Sequence, residues 1–512
     1  MSAEARLADL TSWNADWSGL RVAVLGLSMT GFSVADTLAE LGADVLVCSE
    51  SADEEYARLV PVIGARLELG PLDEAPEALV AFAPEVVIAS PGFSPSHPVI
   101  RWVRESGIAL WGDVELAWRV RDKVLRPDGK PAEWVFITGT NGKTTTTQLA
   151  ASLLVQGGLR AAPCGNIGVP VLDAVRDPAG FDVLVVELSS HQLWYLGLAR
   201  PEGQPFPYAA VCLNLADDHL VWHGSAEAYR DAKALVYRNT KVACVYNKAD
   251  EATRLMVEEA EVVEGARAVG FDLGIPGPSD LGVVEGLLVD RAFLDDRARS
   301  ALELTTVADL EQVGLVAPHV VQNILAASAL ARSLGTAPEA IHTALQGFRL
   351  DPHRIQVVAR HGGVTWIDDS KATNPHAAAS SLRAYPGAVW LVGGDLKGVD
   401  ITDLVAGAGT TASAAVVIGV ERAAVVAAFE RHAPAVPVFE VDAGDTGQVM
   451  NRAVEIAAGI VGDGGTVLLA PASASFDQFS SYAERGHRFA EAVQNWIEWG
   501  SAHDAGAPPS AL

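Results

Sequence analysis

Short apolar runs alternate along this chain with stretches of helical spacing, and glycine or proline loops separate them. RVAVLG (21–26) reads as a buried strand, residues 30–41 as a helix stopped by Gly42, and ADVLVC (43–48) as the next strand. That succession predicts a β-α-β unit. EVVIASPG (85–92) repeats the pattern of strand followed by a Gly/Pro loop. The polar stretch RDKVLRPDGKPAEW (121–134), broken by Pro and Gly, predicts a domain boundary. A second α/β block opens with a strand at 134–138 and continues with DVLVVEL (182–188), AAVCLNL (209–215) and VACVYN (242–247). Punctuation is weak between 263 and 315, where small strands and loops are expected. APHVVQNILAASALARSLG (317–335) reads as a helix stopped by Gly335. The chain changes again at FRLDPH (348–353), and from 363 VTWIDDS, AVWLVGGD, AAVVIG and TVLLAPAS read as strands between Ala-rich helices. The last dozen residues read as disordered.

The chain has 512 residues, too many for one hydrophobic core, and that length suggests about three domains. The N-terminus, MSAEARLADLTSW, has no basic segment followed by an apolar one, so no signal peptide is expected. No apolar run approaches the ~18 residues that span a bilayer. Cys48, Cys164, Cys212 and Cys244 are scattered without CxxC spacing, which fits a reducing compartment, and the cytoplasm is the expected location. A formal net charge of −27 argues against nucleic acid and membrane surfaces as partners. It also means that any site for an anion must be assembled from concentrated Lys, Arg, helix N-termini and metal ions.

One such assembly is Gly139-Thr140-Asn141-Gly142-Lys143-Thr144, between the strand at 134–138 and the helix-forming TTTQLAASLLVQ. Backbone N–H groups of such a loop, together with the helix dipole, wrap phosphate oxygens. Lys143 would reach the β/γ-phosphates and Thr144 would offer its hydroxyl to Mg²⁺. The full phosphate-loop pattern asks for another glycine where Ile137 stands, so the match is to a shortened loop. The plain alternative is a glycine turn capped by threonines.

Strand ends supply further candidates. Glu187 ends DVLVVEL, where a carboxylate could hold Mg²⁺ against phosphates, and Asp217-Asp218-His219 follows AAVCLNL. Each could instead cap a helix. Lys233, in YRDAKALVY, would by itself read as a solvated helical lysine. In the last third, Asn374 as N-cap and Pro375 as first helical residue give the loop Asp369-Ser370-Lys371 a rigid platform. Gly393-Gly394-Asp395-Leu396-Lys397-Gly398 also follows a strand, and two strand-end lysines in so acidic a chain suggest anion capture. Near the N-terminus, Gly26-Leu27-Ser28-Met29-Thr30-Gly31, with Glu50 downstream, is a near miss to the dinucleotide fingerprint; Ser28 replaces the middle glycine. A dehydrogenase-like domain and a purely structural β-α-β unit both remain open on local grounds.

GTNGKTT, VVELSSHQL, LADDHLVWHGSAEAYRDAKALVY, DDSKATNP and LLAPASASFDQF, in this order, resemble the Mur ligase family of cell-wall synthesis, from about residue 20 to 495. The resemblance implies an α/β fold of three domains. A Rossmann-like domain (1–122) would bind the UDP-substrate, a central P-loop ATPase-like parallel sheet (123–350) would bind ATP, and a Rossmann-like domain (351–512) would bind the amino acid. It implies an ATP-dependent ligase that adds D-glutamate to UDP-N-acetylmuramoyl-L-alanine through an acyl phosphate, acting as a monomer. Lys143, His219 and Lys233 would be catalytic. Lys233 would be carbamylated by CO₂ and, with Thr144, Glu187 and His219, would hold two Mg²⁺ ions. Gly139, Thr140, Asn141, Gly142, Lys143, Thr144 and Thr145 would cradle ATP, with Arg354 and Asp369 on its phosphates and ribose and Asn323 at adenine. Met29 and Thr30 would lie near uracil, Ser90 near the diphosphate and Asn166 on the sugar-peptide part. Lys371, Thr373, Lys397, Ser475, Phe476 and Tyr482 would form the D-glutamate pocket. Val320 stands where the family often carries Asn, and Phe476 and Tyr482 stand where Leu and Phe are usual.

Closure of the third domain over the others would keep water from the acyl phosphate. Other readings are a ligase of the same family with another acceptor, a folate polyglutamate ligase, or an ATP-switched binding protein. DDSKATN and SASFDQF argue against the first, the N-terminal domain against the second. The third leaves Lys397 without a role.

Overall fold

A computed structural model of the chain describes residues 3–442 and 446–504. The first sheet holds β1 (Arg21–Leu27), β2 (Asp44–Ala52), β3 (Arg66–Leu69), β4 (Val86–Ala89) and β5 (Ala109–Trp111). Its order is β3-β2-β1-β4-β5, and every pair is parallel. Val22, Ala23, Val24 and Leu25 of β1 are fully buried, because helices cover both faces of a parallel sheet. The helix after β1 (Met29–Glu40) comes so close that a Cβ at Gly31 would lie 2.0 Å from Gly26 O. That approach is the reason for the last glycine of the fingerprint-like run.

The second sheet holds β6 (Glu133–Thr138), β7 (Ala161–Gly165), β8 (Val183–Glu187), β9 (Ala209–Cys212), β10 (Ala243–Asn247), β11 (Arg267–Phe271), β12 (Asp280–Val284), β13 (Leu287–Asp290) and β14 (Leu302–Thr306). The order β14-β13-β12-β11-β10-β9-β6-β8-β7 puts β6 between β8 and β9, all three parallel. β13 and β14 run antiparallel at one edge. The weakly punctuated stretch 263–315 therefore continues the same sheet.

The third sheet holds β15 (Gln356–His361), β16 (Val364–Asp368), β17 (Val389–Val392), β18 (Ala414–Val417), β19 (Val438–Glu440) and β20 (Thr466–Leu469), in the order β15-β16-β20-β17-β18-β19. Only β15 is antiparallel to its neighbour. The described residues divide into two compact units: the first two sheets belong to one, through Phe348, and the third sheet to the other, from Arg349, with Ala317–His319 counted in the second.

The α/β class with largely parallel sheets is as the sequence predicts. Differences are local. The helix expected at 30–41 begins at Met29, the strand expected at 43–48 extends to Ala52, and the helix expected at 317–335 spans Pro318–Ser333. The last dozen residues are not uniformly irregular: the helix Tyr482–Asp504 runs into them, and 505–512 lie outside the described residues. Among the described residues no helix is long and apolar enough to cross a membrane.

Candidate functional site

The C-terminal edge of β6 turns directly into the glycine loop. Gly139 (φ 151°) and Gly142 (φ 84°) occupy the left-handed half of backbone space that favours glycine. A Cβ at Gly139 would meet Leu213 Cβ at 2.9 Å, and one at Gly142 would meet Asn323 Oδ1 at 2.6 Å. The loop is pinned from β9's side: Asn141 N donates to Asn214 Oδ1 at 2.8 Å and Asn214 Nδ2 to Asn141 O at 3.1 Å. Ile137 stands where the longer pattern wants glycine because it is still inside β6, fully buried.

From Gly142 the helix Lys143–Gln156 begins, which places its first turn, the positive end of the helix dipole, at the loop. Lys143 Nζ lies over the loop and donates to Gly139 O (2.8 Å) and Thr140 O (2.9 Å). Thr144 is half-buried in the first turn, and Thr145 is buried beneath it. Asn323, on the helix Pro318–Ser333, is therefore beside the phosphate loop.

Parallel neighbours bring the other central candidates to the same edge. Glu187 ends β8 and is buried. Its Oε1 accepts from Asn166 Nδ2 at 3.0 Å, while its Oε2 is buried without a hydrogen-bond partner. Asn166, expected on the sugar-peptide, thus also orients Glu187.

Lys233 is only 1% exposed, unlike the solvated lysine its helix position suggests. Its Nζ donates to Gly139 O (2.9 Å) and Thr138 Oγ1 (3.3 Å), on the inner side of the loop that Lys143 covers. Burial first, and then the charge of Lys143, pull its ammonium down to about 7. His219 follows β9 in a left-handed conformation (φ 53°), with its ring edge-on to His191 at 4.7 Å and half exposed.

Among the described residues no three His, Cys, Asp or Glu side chains converge as a ready metal site. Two oxygen donors at this edge are of the kind a hard cation takes: the Glu187 carboxylate, with one oxygen unsatisfied, and the Thr144 hydroxyl in the first helical turn.

Sequence reading missed Tyr229. It is one helical turn before Lys233, its ring centroid is 5.0 Å from Lys233 Nζ, and its hydroxyl is 2.9 Å from Thr140 Oγ1. The i, i+4 spacing was the available signal.

In the first sheet, Gly26, Gly31 and Ser90 meet: a Cβ on Gly26 would touch Ser90 Oγ at 2.8 Å. Met29, half exposed, and Thr30 open the adjoining helix.

In the second unit, Asn374 caps the helix Pro375–Ala384 by accepting from Ala377 N at 2.9 Å, as predicted. Asp369 is buried; it accepts from Ser381 Oγ and from Ile355 N (3.3 Å), and burial pushes its carboxyl up to about 6 against the pull of these bonds and Arg354. Lys371 Nζ stands over the Tyr482 ring at 3.8 Å and Lys397 Nζ over Phe476 at 5.0 Å. Asp395 and Ala474 exchange backbone hydrogen bonds, which docks the Lys397 loop on the Ser475 loop.

Arg485 was also missed. Fully buried, it donates to Ser370 Oγ and O, Ser473 O and Ala474 O, joining the Asp369–Thr373 and Ser475 loops. Nothing in its local sequence distinguishes it from a surface helix arginine.

Three family models match the chain: a Mur ligase MurD-like N-terminal domain over residues 20–112, a Mur ligase middle domain over 137–331, and a Mur ligase glutamate ligase domain over 353–473. The UDP-N-acetylmuramoylalanine–D-glutamate ligase of Leifsonia xyli subsp. xyli is 61% identical over 503 residues, covering 98% of this chain and 97% of that protein. Its counterpart from Streptomyces coelicolor is 48% identical, with 94% and 98% covered. Among solved structures, a UDP-N-acetylmuramate–alanine ligase from Thermotoga maritima superposes with a TM-score of 0.53 at 18% identity, covering 93% of this chain and 99% of its own. An ADP complex of the MurF ligase from Thermotoga maritima gives 0.52 at 17%, with 89% and 96% covered. At such identities these two speak to the fold alone.

Proposed function

The chain belongs to the Mur ligase family, and from that premise we infer its reaction: ATP-driven addition of D-glutamate to UDP-N-acetylmuramoyl-L-alanine, a step of peptidoglycan precursor synthesis. The L-alanine carboxylate attacks the γ-phosphorus of ATP, the bond to the ADP oxygen breaks, and an acyl phosphate forms. The neutral amine of D-glutamate then attacks the acyl carbon, phosphate leaves, and the amine nitrogen gives up a proton as the amide forms.

The observation that carries the central assignment is the buried Lys233 amine behind the phosphate loop, within electrostatic reach of the Glu187 carboxylate, one oxygen of which is unsatisfied. At about 7 its pKa leaves much of the amine neutral near neutral pH, as attack on CO₂ requires. Carbamylation forms an N–C bond, releases a proton and turns a cation into an anionic oxygen ligand. Thr144, Glu187, His219 and the carbamate of Lys233 would hold two Mg²⁺ ions, whose chemistry would be to neutralise charge developing on phosphoryl oxygens. Asn166 keeps Glu187 turned to that task.

Lys143 and the N–H groups from Gly139 to Thr145 bind the triphosphate, with Asn323 beside them; Arg354 and Asp369 are assigned to contacts with ATP phosphates and ribose. Met29, Thr30 and Ser90 hold the UDP moiety. Lys371 and Lys397 pair with the acceptor's carboxylates, Thr373 and Ser475 donate hydrogen bonds, and Phe476 and Tyr482 wall the pocket. We assign 1–122, 123–350 and 351–512 as the corresponding domains, in a monomer.

The test supplies ATP, Mg²⁺ and UDP-N-acetylmuramoyl-L-alanine and compares D-glutamate, L-glutamate, L-alanine and diaminopimelate as acceptors. Amide and phosphate appearing one-for-one with D-glutamate alone is the expected result. Equal use of several acceptors would refute the specificity, and ATP cleavage without amide would refute the ligase itself.

A further inference from the structure

The loop that follows β4 is held from outside its own sheet. Tyr195 Oη donates to Phe93 O at 2.7 Å, and Trp222 Nε1 donates to Gly92 O at 3.2 Å. Tyr195 lies on the helix Ser190–Gly197, just past the Glu187 end of β8. Trp222 lies on the single turn Leu220–His223, which His219 opens; Trp222 N donates to His219 O at 3.0 Å. The turn that carries His219 therefore also carries the donor that holds Gly92.

The rings between them are continuous. Trp222 stacks on His191 at 4.3 Å with 23° between planes, and His191 in turn meets His219. Tyr195, Trp222 and Phe93 share one apolar cluster with the β1 and β4 side chains. Ring packing alone would explain a hydrophobic seam. It does not explain two directional hydrogen bonds to consecutive carbonyls of one loop. Because a trans peptide points its C=O and N–H in opposite directions, holding Gly92 O and Phe93 O fixes the orientation of the peptide planes on either side of Phe93.

We infer that Trp222 and Tyr195 are positioning residues that set the Ser90–Phe93 loop, and with it a nucleotide-sugar diphosphate, in register with the Glu187–His219 edge. The inference rests on the substrate reading above. It assigns to them the distance between the diphosphate at one end of that substrate and the reacting carboxylate at the other.

Trp222→Phe keeps a ring against His191 but loses the N–H; Tyr195→Phe loses only the hydroxyl. Calorimetric titration with UDP-N-acetylmuramoyl-L-alanine should show Kd raised about threefold to tenfold in each variant, the range expected for one lost hydrogen bond. The affinity for ATP·Mg²⁺ and the KM for D-glutamate should not move. Unchanged Kd for the UDP-sugar in both variants would overturn the inference, as would a proportional loss of affinity for ATP. A parent chain that binds no UDP-sugar at all would instead sink the substrate reading and this assignment with it.

Discussion

The central edge and the last unit both hold lysines at their candidate sites, Lys233 on the helix Ala226–Ala234 and Lys371 and Lys397 in loops after strands, and they set the cation in different surroundings. Lys233 is sealed beneath the phosphate loop with its donors on Gly139 O and Thr138 Oγ1, and its ammonium is destabilised by burial and by Lys143. Lys371 and Lys397 lie instead over the faces of Tyr482 and Phe476, where a cation meets the negative face of the ring. In the proposed reaction, the lysine that is to react with CO₂ is destabilised as a cation, and the lysines that are to meet a carboxylate are set against aromatic faces. Residue type is the same, and the environment assigns the job.

The sharpest way to break this comparison is a charge-preserving exchange. Lys233→Arg keeps a cation but cannot offer a neutral amine. Ligation should fall by at least about a hundredfold, the cost of removing one preorganised charge-stabilising group. Removing CO₂ from the buffer should slow the parent and leave the residual rate of the variant unaffected. A variant retaining parental activity would refute the carbamate. Next in size is Lys397→Ala. Loss of a charged hydrogen-bonding partner should raise the KM for D-glutamate roughly 10- to 100-fold, with the KM for ATP unmoved and the response to CO₂ intact. A common shift in both KM values would mean that the two lysines are not separate devices.

The contrast also marks what the sequence could convey. The phosphate loop was legible because its chemistry is local: strand, glycines at positive φ, lysine and helix follow one another in the chain. Asn374 and Pro375 were legible for the same reason, a cap being a matter of three residues. Lys233 was not, because its burial comes from β6 and the loop about ninety residues earlier, and by spacing alone it looked solvated. Arg485 reaches Ser370 and Ser473, in the loops that follow the neighbouring strands β16 and β20, a contact with no periodic trace. Strands buried on both faces announced themselves as apolar runs. The edge strands β15 (burial intermediate to exposed throughout) and β19 did not, since an edge needs no continuous apolar stretch.

The smallest predicted effect tests whether burial of an ionisable group is peculiar to the central edge. Asp369 is buried in the second unit, and its carboxyl is raised from 3.8 to about 6. An acid whose folded pKa exceeds its unfolded value binds its proton more tightly when folded. That contribution to stability is complete below about 4 and is lost as pH rises to about 6. Above that, the ionised carboxylate burdens the fold by at most about 3 kcal/mol, less whatever local relaxation recovers. Asp369→Asn removes the ionisation but keeps an acceptor for Ser381. The stability difference, variant minus parent, should therefore grow between pH 4 and pH 8 in urea melts. A difference that stays flat or shrinks over that range would show that Ser381, Ile355 N and Arg354 fully solvate the carboxylate. Asp369 would then carry no destabilised charge, and its burial would differ in kind from that of Lys233.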